Sequence, residues 1–270
     1  MKNSVLIHGG AGSPSSMSII LEGILNKIEY DDDPLNVAVN SVVSMEDDPA
    51  FNAGTGSVPR LDGTIQMDAA VMSDGNFGSV ICIENVKNPV LVARDVMLNS
   101  PHIILSGDGA VKFARLMGYD YYDPHTEKSR NMIRKFYSES FNGNVPAIFN
   151  RKKSGDTVGA VARINNKFAA AVSTGGSFPM LRGRVGDSPL IGAGIYSGPN
   201  GAVVATGIGE EIAKKLLSYK IYSKIKTDSL ENIVKNEVNS FRTSCGIIAI
   251  TDDEYIAYSN TDMAYAYKEF

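Results

Sequence analysis

Apolar residues along the chain recur in short runs that glycine-rich and polar turns separate, a pattern of brief strands with helices between them. Two of these runs, 158–162 and 168–172, flank Asn165-Asn166. An Asn-Asn pair tolerates the positive φ that a two-residue turn needs. We therefore predict a tight antiparallel hairpin, which returns Thr174 at the end of the second arm to the neighbourhood of Thr157 before the first.

The apolar periodicities of the rest of the chain predict both strands and helices. Strands are predicted at 5–7, 65–72, 77–86, 102–105, 202–205, 245–250 and 255–258, and helices at 17–30, 35–45, 108–117, from 89 onward, from 210 onward and from a cap at Asp228 to 241. The strands do not alternate regularly with helices, as βαβ units would require. We therefore expect an α+β fold of largely antiparallel sheets with helices packed outside them.

A polar segment precedes the hairpin. Residues 123–156 lose the apolar periodicity and fill with Lys, Arg, Ser, Asn and Gly, and they end at Asp156-Thr157. A flexible polar segment followed at once by a buried strand is where we expect a chain to be cut. The alternative is that Thr157 opens an ordinary core strand after an ordinary loop.

Composition limits the class of protein. The chain has 270 residues, 43% of them hydrophobic and 21% charged, with a net charge of −4, so it can bury a large core and is not disordered. Neither nucleic acid nor a membrane surface is an expected partner. Cys82 and Cys245 lie in separate apolar runs, which indicates buried thiols in a reducing, cytoplasmic location. The apolar part of the N-terminus is too short for a signal peptide.

Common catalytic motifs are missing from the sequence. It has no G-x-S-x-G, H-E-x-x-H or Walker A motif and no cysteine pair, and its three histidines are scattered. A threonine nucleophile is therefore worth considering. Once a cut frees its α-amino group, that group can act as the base, with an ordinary pKa of about 7.7–8. Thr157 is the candidate.

Such chemistry also needs an oxyanion hole and a clamp for the substrate. Thr206 and the N–H of Gly207 precede a predicted helix and could supply the donors. Arg184 and Asp187 lie three residues apart in a glycine loop, where they could grip the carboxylate and ammonium of an α-amino acid. The alternative for this pair is a surface salt bridge.

At these residues the sequence resembles the plant-type L-asparaginases and isoaspartyl peptidases, within the threonine-type N-terminal nucleophile hydrolases. The resemblance covers nearly the whole chain and rests on the order and spacing of several motifs. They are His8-Gly9-Gly10-Ala11-Gly12, Phe51-Asn52-Ala53-Gly54, 67–72, 157–161, 173–176, 183–189, 206–210 and 260–263.

The resemblance implies an αββα sandwich of two mainly antiparallel sheets, built as one domain over 1–270. It implies autocatalytic cleavage between Asp156 and Thr157 into an α subunit, 1–156, and a β subunit, 157–270. By this resemblance, Thr157 is the nucleophile and the base, Thr174 assists it, and Asn52 lies near it. Thr206 and Gly207 form the oxyanion hole. Arg184 binds the α-carboxylate of the substrate, and Asp187 and the Gly209 carbonyl bind its α-amino group.

The resemblance also implies a structural sodium ion, with no cofactor for catalysis, and a dimer of αβ units. The sodium would be held by backbone carbonyls of Met45, Glu46, Asp48, Phe51, Ala53 and Thr55.

One departure concerns the residue before the nucleophile. Many asparaginases of this type have Gly there, whereas this chain has Asp156, as glycosylasparaginases do. We expect hydrolysis of L-asparagine to L-aspartate and ammonia, and cleavage of β-aspartyl dipeptides. The alternatives are a glycosylasparaginase-like hydrolase and an uncleaved homologue that only binds an amino acid.

Overall fold

The structure, a computed structural model, describes residues 2–140 and 156–270. These residues form eleven strands, which are Ser4–Ala11 (β1), Met67–Ser73 (β2), Asn76–Ile83 (β3), Ile104–Ser106 (β4), Val158–Ile164 (β5), Lys167–Thr174 (β6), Ile195–Gly198 (β7), Gly201–Gly207 (β8), Cys245–Ile250 (β9), Tyr255–Ser259 (β10) and Met263–Glu269 (β11). Their α-helices are Ser18–Lys27 (α1), Pro34–Glu46 (α2), Pro89–Asn99 (α3), Gly107–Leu116 (α4), Glu127–Ser140 (α5), Gly209–Lys215 (α6), Leu217–Tyr222 (α7) and Leu230–Asn239 (α8).

The strands form two sheets. The larger has seven strands in the order β11-β1-β5-β6-β2-β3-β4, and the smaller has four in the order β10-β9-β8-β7. Every pairing is antiparallel except β3 with β4. Eight of the nine pairings among the described strands are thus antiparallel, and the predicted antiparallel character is confirmed.

Three layers of apolar side chains lie between the helices and the two sheets. The first lies between α1–α4 and the outer face of the large sheet, and it includes Val39 and Ala160. The second joins the two sheets, with Val161 from one facing Val204 from the other. The third packs α7 and α8 on the small sheet. Helix, sheet, sheet and helix thus follow one another, and the predicted αββα sandwich is confirmed.

The central hairpin has the predicted turn. Asn165 and Asn166 have φ of 50° and 60°, and Ile164 pairs with Lys167 across the turn. Both central residues of a type I′ turn need positive φ, which asparagine accepts. Both arms are buried almost throughout because they lie in the middle of the large sheet.

Two details of the predicted elements were wrong. The segment 123–156 was expected to lack structure, but its first half carries α5, whose Phe136 packs on Phe178. The rest of that segment, 141–155, lies outside the described residues. The cap of α8 is Ser229 rather than Asp228, because the Ser229 hydroxyl accepts the Asn232 N–H at 3.2 Å.

The topology brings several strand ends to one place. Val158 pairs with Ser173 and Asp68 pairs with Thr174, so the start of β5 meets the end of β6 and the start of β2. His8 near the end of β1 pairs with Gly159. No helix among residues 2–140 and 156–270 is both long and apolar enough to cross a bilayer.

Candidate active site

A small pocket lies where these strand ends meet. It is lined by Thr157, Thr174, Gly176, Ser177, Arg184, Gly186, Asp187, Ser188, Gly207 and Gly209. Six of these residues were predicted from the sequence as site residues. The loop 183–189, the β5–β6 hairpin and the start of α6 are distant in sequence, and the fold places them around one cavity.

Thr157 lies just before β5 and is buried, with 8% of its surface exposed. Its Oγ1 lies 3.3 Å from the Oγ of Ser188, and both hydroxyls are buried. Either hydroxyl can donate in this pair. Ser188 therefore forms a hydrogen bond with the candidate nucleophile. Ser188 was not predicted from the sequence as a site residue.

The end of β6 is held by side chains behind the pocket. The Thr174 hydroxyl accepts the Gly176 N–H at 3.0 Å. Asn52 donates from Nδ2 to the Gly176 carbonyl at 2.7 Å, and its backbone carbonyl accepts the Gly175 N–H at 2.8 Å. Asn52 thus fixes the turn after Thr174, which is a supporting position close to the pocket.

Thr206 and Gly207 end β8 beside the start of β5. The Thr206 Oγ1 accepts the Ala11 N–H at 3.1 Å, so its own hydroxyl hydrogen stays available for donation. Gly207 has φ of 138°, and a Cβ there would lie 2.2 Å from the Ser244 carbonyl oxygen. Only glycine fits this position, which leaves the Gly207 backbone at the pocket wall.

Arg184 lines the pocket and forms an ion pair with Glu210, whose side chain is 40% exposed. Its Nε and Nη2 each donate to one carboxylate oxygen of Glu210, both at 3.0 Å. The Arg184 side chain is only 14% exposed. The alternative of an exposed Arg184–Asp187 salt bridge is therefore wrong, since the bidentate partner of Arg184 is Glu210.

Asp187 is buried beside the start of α6. A Cβ at Gly209 would lie 2.8 Å from Asp187 Oδ1, so the helix start packs directly on this carboxyl. Burial raises the pKa of Asp187 to about 7, with Glu210 and Asp68 adding to the increase and Arg184 opposing it. A nearby cation would favour the ionised form of Asp187.

Arg60 and Asp68 form a buried polar layer under the pocket. Arg60 is fully buried and donates to the carbonyls of Gly175 and Gln66, each at 3.0 Å. Burial raises the pKa of Asp68 to about 6, although the Cys82 N–H bond and the charge of Arg60 oppose the shift. Arg60 thus supports the turn after β6, and Asp68 holds the Cys82 N–H of β3.

The predicted cleavage junction packs on Gly10 near the end of β1. A Cβ at Gly10, whose φ is 106°, would lie 2.3 Å from Asp156 Cβ. Burial raises the pKa of Asp156 to about 6, and Lys128 acts in the opposite direction. The junction is therefore seated against the neighbouring strand end.

The buried His8 lies two residues before Gly10. Its Nδ1 accepts the Gly10 N–H at 3.0 Å, and burial lowers the pKa of His8 to about 3. His8 stays neutral at ordinary pH, and it packs against Gly159 rather than facing the pocket. A neutral, structural His8 is consistent with a base other than histidine.

The predicted sodium loop follows α2. Its carbonyls crowd two glycines: a Cβ at Gly54 would lie 2.5 Å from the Glu46 oxygen, and one at Gly56 would lie 1.8 Å from the Phe51 oxygen. The carbonyls of Asp48 and Ala53 each accept one backbone N–H, and the Met45 carbonyl accepts from both Asp47 and Asp48. Backbone carbonyl oxygens are ligands that a hard cation accepts, and the carbonyls of Asp48 and Ala53 each keep a second lone pair.

Known proteins are similar to this chain over most of its length. The family model described as Asparaginase matches residues 1–269. A plant-type L-asparaginase of Pyrococcus furiosus is 40% identical, over 80% of this chain and 77% of the relative. An isoaspartyl peptidase of Escherichia coli is 34% identical, over 98% of this chain and 92% of the relative. An isoaspartyl peptidase/L-asparaginase of Rattus norvegicus is 40% identical, over 78% of this chain and 67% of the relative.

Proposed function

Because the chain belongs to the asparaginase family, we propose that it hydrolyses L-asparagine to L-aspartate and ammonia and cleaves β-aspartyl dipeptides. It is a hydrolase of the N-terminal nucleophile type. The observation that supports these substrates best is one pocket that combines Thr157, Arg184 and Asp187. Both substrates present an α-carboxylate and an α-ammonium next to a β-carbonyl, which matches one cation, one anion and one nucleophile.

Activation would begin with a cut at the junction. The Thr157 Oγ1 attacks the carbonyl carbon of Asp156, the C–N bond breaks as the nitrogen gains a proton, and an ester forms. Water then hydrolyses the ester. The products are an α subunit, 1–156, that ends in a carboxylate and a β subunit, 157–270, that begins with a free α-amino group. That amine is the base that Thr157 needs.

Turnover would use the same hydroxyl. The α-amine takes the proton from Thr157 Oγ1, which attacks the β-carbonyl carbon of the substrate. The tetrahedral oxyanion accepts hydrogen bonds from the Gly207 N–H and the Thr206 hydroxyl. Ammonia or an amino acid leaves with the proton, and water hydrolyses the ester to release aspartate. Thr174, beside the nucleophile, assists Thr157.

Substrate binding would rest on three groups. Arg184 binds the α-carboxylate through paired N–H donors. Asp187 and the Gly209 carbonyl accept the α-ammonium, whose charge favours ionised Asp187. Glycine is needed at 186 and 209, because a Cβ at Gly186 would lie 2.9 Å from Arg184 Nη1 and one at Gly209 would lie 2.8 Å from Asp187 Oδ1. The absence of these side chains keeps both binding groups in place.

Further features belong to the same proposal. A structural sodium ion would bind the carbonyls of Met45, Glu46, Asp48, Phe51, Ala53 and Thr55, and would take no part in the chemistry. The assembly would be a dimer of αβ units without a nucleic acid or membrane partner. Cys82 and Cys245 are both buried and unpaired, which supports a reducing, cytoplasmic location.

Asp156 supports a second candidate, a glycosylasparaginase-like hydrolase. Hydrolysis of a glycosylated asparagine at a rate similar to that of asparagine would favour this candidate. The His8-Gly9-Gly10 start of the chain, and relatives named L-asparaginase, favour the unmodified amino acid.

The test starts from the intact mass of fresh and aged protein, with N-terminal sequencing of the fragments. We expect pieces of 1–156 and 157–270, the second beginning Thr-Val-Gly-Ala, and release of ammonia from L-asparagine by the cut protein only. Thr157→Ala should stay whole and inactive. A wild-type chain that stays uncut and binds L-aspartate without turnover would contradict the proposal and favour a binding protein.

A further inference from the structure

Glu210 forms a bidentate ion pair with the residue that would bind the substrate carboxylate. Its two carboxylate oxygens accept from Nε and Nη2 of Arg184, each at 3.0 Å. Two parallel charge-assisted bonds fix both the position and the plane of a guanidinium. Arg184 is therefore oriented without any ligand.

The pairing occupies one edge of the guanidinium. Arginine has five N–H donors in a fixed fork, and Glu210 takes the edge formed by Nε and Nη2. The other edge is formed by Nη1 and Nη2. Gly186 lines the pocket, and a Cβ there would lie 2.9 Å from Arg184 Nη1, so the second edge lies on the pocket side.

Glu210 also links this cation to the other half of the clamp. It follows Gly209 in the first turn of α6, and Gly209 packs on Asp187. One helix start thus contacts both the group proposed for the α-carboxylate and the group proposed for the α-ammonium. A shift of Glu210 would change the separation between them.

We infer that Glu210 is a positioning residue for substrate binding, which holds Arg184 by one edge and presents the other edge to an α-carboxylate. This inference rests on the proposed function, since it assigns Glu210 to the same binding site. Glu210 acts through Arg184 and does not touch the reacting carbonyl. Its loss should therefore weaken binding much more than it slows the chemical step.

The variant Glu210→Gln tests this role in the cut protein. Loss of one charge-assisted bond should raise KM for L-asparagine about tenfold, with kcat changed by less than about twofold. The dissociation constant of L-aspartate, measured by calorimetry, should rise by a similar factor. Arg184→Ala should raise both constants at least as much, and adding Glu210→Gln to it should have little further effect.

The pH dependence separates positioning from simple structural support. Asp187 faces Arg184, Glu210 and Asp68, and the charge of Glu210 is one cause of its raised pKa. Glu210→Gln should therefore shift the midpoint of L-aspartate affinity to lower pH. The matched control is Glu211→Gln, which removes the same charge from the next residue, where it pairs with exposed Lys214 outside the pocket. This control should leave KM, affinity and midpoint unchanged.

The outcomes are distinguishable. If Arg184→Ala weakens binding while Glu210→Gln does not, the role of Glu210 is wrong and the proposed function stands. If neither variant changes KM or the affinity for L-aspartate, Arg184 is not the clamp and both ideas fail. If Glu210→Gln lowers the melting temperature far more than Glu211→Gln without moving the pH midpoint, Glu210 is only structural.

Discussion

The hydroxyl of one threonine carries most of the proposed chemistry, and the hydroxyl of Ser188 hydrogen-bonds to it. The 3.3 Å contact between the two hydroxyls is buried, so water does not compete freely for either group. Ser188 can hold Thr157 Oγ1 in one rotamer as it approaches the Asp156 carbonyl. Proximity of this kind contributes to rate because the reacting atoms are already aligned.

We expect Ser188→Ala to slow the cut at Asp156-Thr157 about tenfold, the effect of losing one buried hydrogen bond. Intact mass against time measures the rate. Ser197→Ala is the control, because it removes a buried hydroxyl that donates to the Phe168 carbonyl in the core. Equal rates in wild type and Ser188→Ala would show that the contact does not orient the nucleophile.

Asp187 should make substrate affinity depend on pH. Its pKa of about 7 in the empty pocket means that the carboxyl is protonated below neutrality and cannot pair with an ammonium. The L-aspartate dissociation constant should therefore rise as pH falls through 7, by about tenfold per pH unit at the limit. Calorimetry between pH 5.5 and 8.5 measures it. Asp187→Asn should bind weakly at every pH, and a flat wild-type profile would contradict the assignment.

Thr157, Arg184 and Asp187 were predicted from their chemistry, and Asn52 and Gly209 from the resemblance. The buried supports Arg60 and Asp68, by contrast, were missed. Thr157, Arg184 and Asp187 have reactive or charged groups in turn-rich sequence, and such patterns indicate a site. Arg60 and Asp68 lie in apolar surroundings, where a charge is costly to bury without partners. A charged residue within an apolar run therefore indicates a buried group with partners. The partners of Arg60, however, are backbone carbonyls that the fold brings near it, and no sequence pattern identifies them.

Local elements were predictable where a single short-range rule decides them. The Asn165-Asn166 turn follows from the positive φ of both residues, and Pro89 begins α3 as the fixed φ of proline favours. Helix α5 was missed because its apolar residues are few, and Phe136 packs on Phe178 from a distant loop. Met132, Ile133 and Phe136 nevertheless recur at helical spacing, and this short stripe was the signal available in the sequence.

The loop after α2 offers a test of the proposed sodium site. If a cation joins its carbonyls, the melting temperature should be about 2–5 °C higher in sodium chloride than in choline chloride of equal concentration. Gly56→Ala should abolish the difference and destabilise the protein by about 1–3 kcal/mol, because its Cβ would collide with the Phe51 carbonyl.

Gly23→Ala in α1 is the control, since that Cβ meets open space and alanine favours a helix. It should keep the full sodium dependence. Equal melting temperatures in the two salts would contradict a bound sodium ion.

The assembled sheet decides what a cut at Asp156-Thr157 does to the molecule as a whole. Strand β1 of the first piece pairs with β11 and β5 of the second, and β6 of the second pairs with β2 of the first. The two pieces therefore alternate within one sheet. Breaking the peptide bond just before β5 removes none of these pairings. The two pieces therefore cannot separate unless the sheet unfolds.

We accordingly expect the cut protein to elute as one species under native conditions, and to divide into 1–156 and 157–270 only on a denaturing gel. Light scattering on the same column should give twice 29.0 kDa if the proposed dimer forms. The dimer and the association of the pieces are independent: a mass of 29.0 kDa would reject the dimer alone. Separate elution of the two pieces would instead contradict the interleaved sheet, because those strand pairings would then not hold the cut chain together.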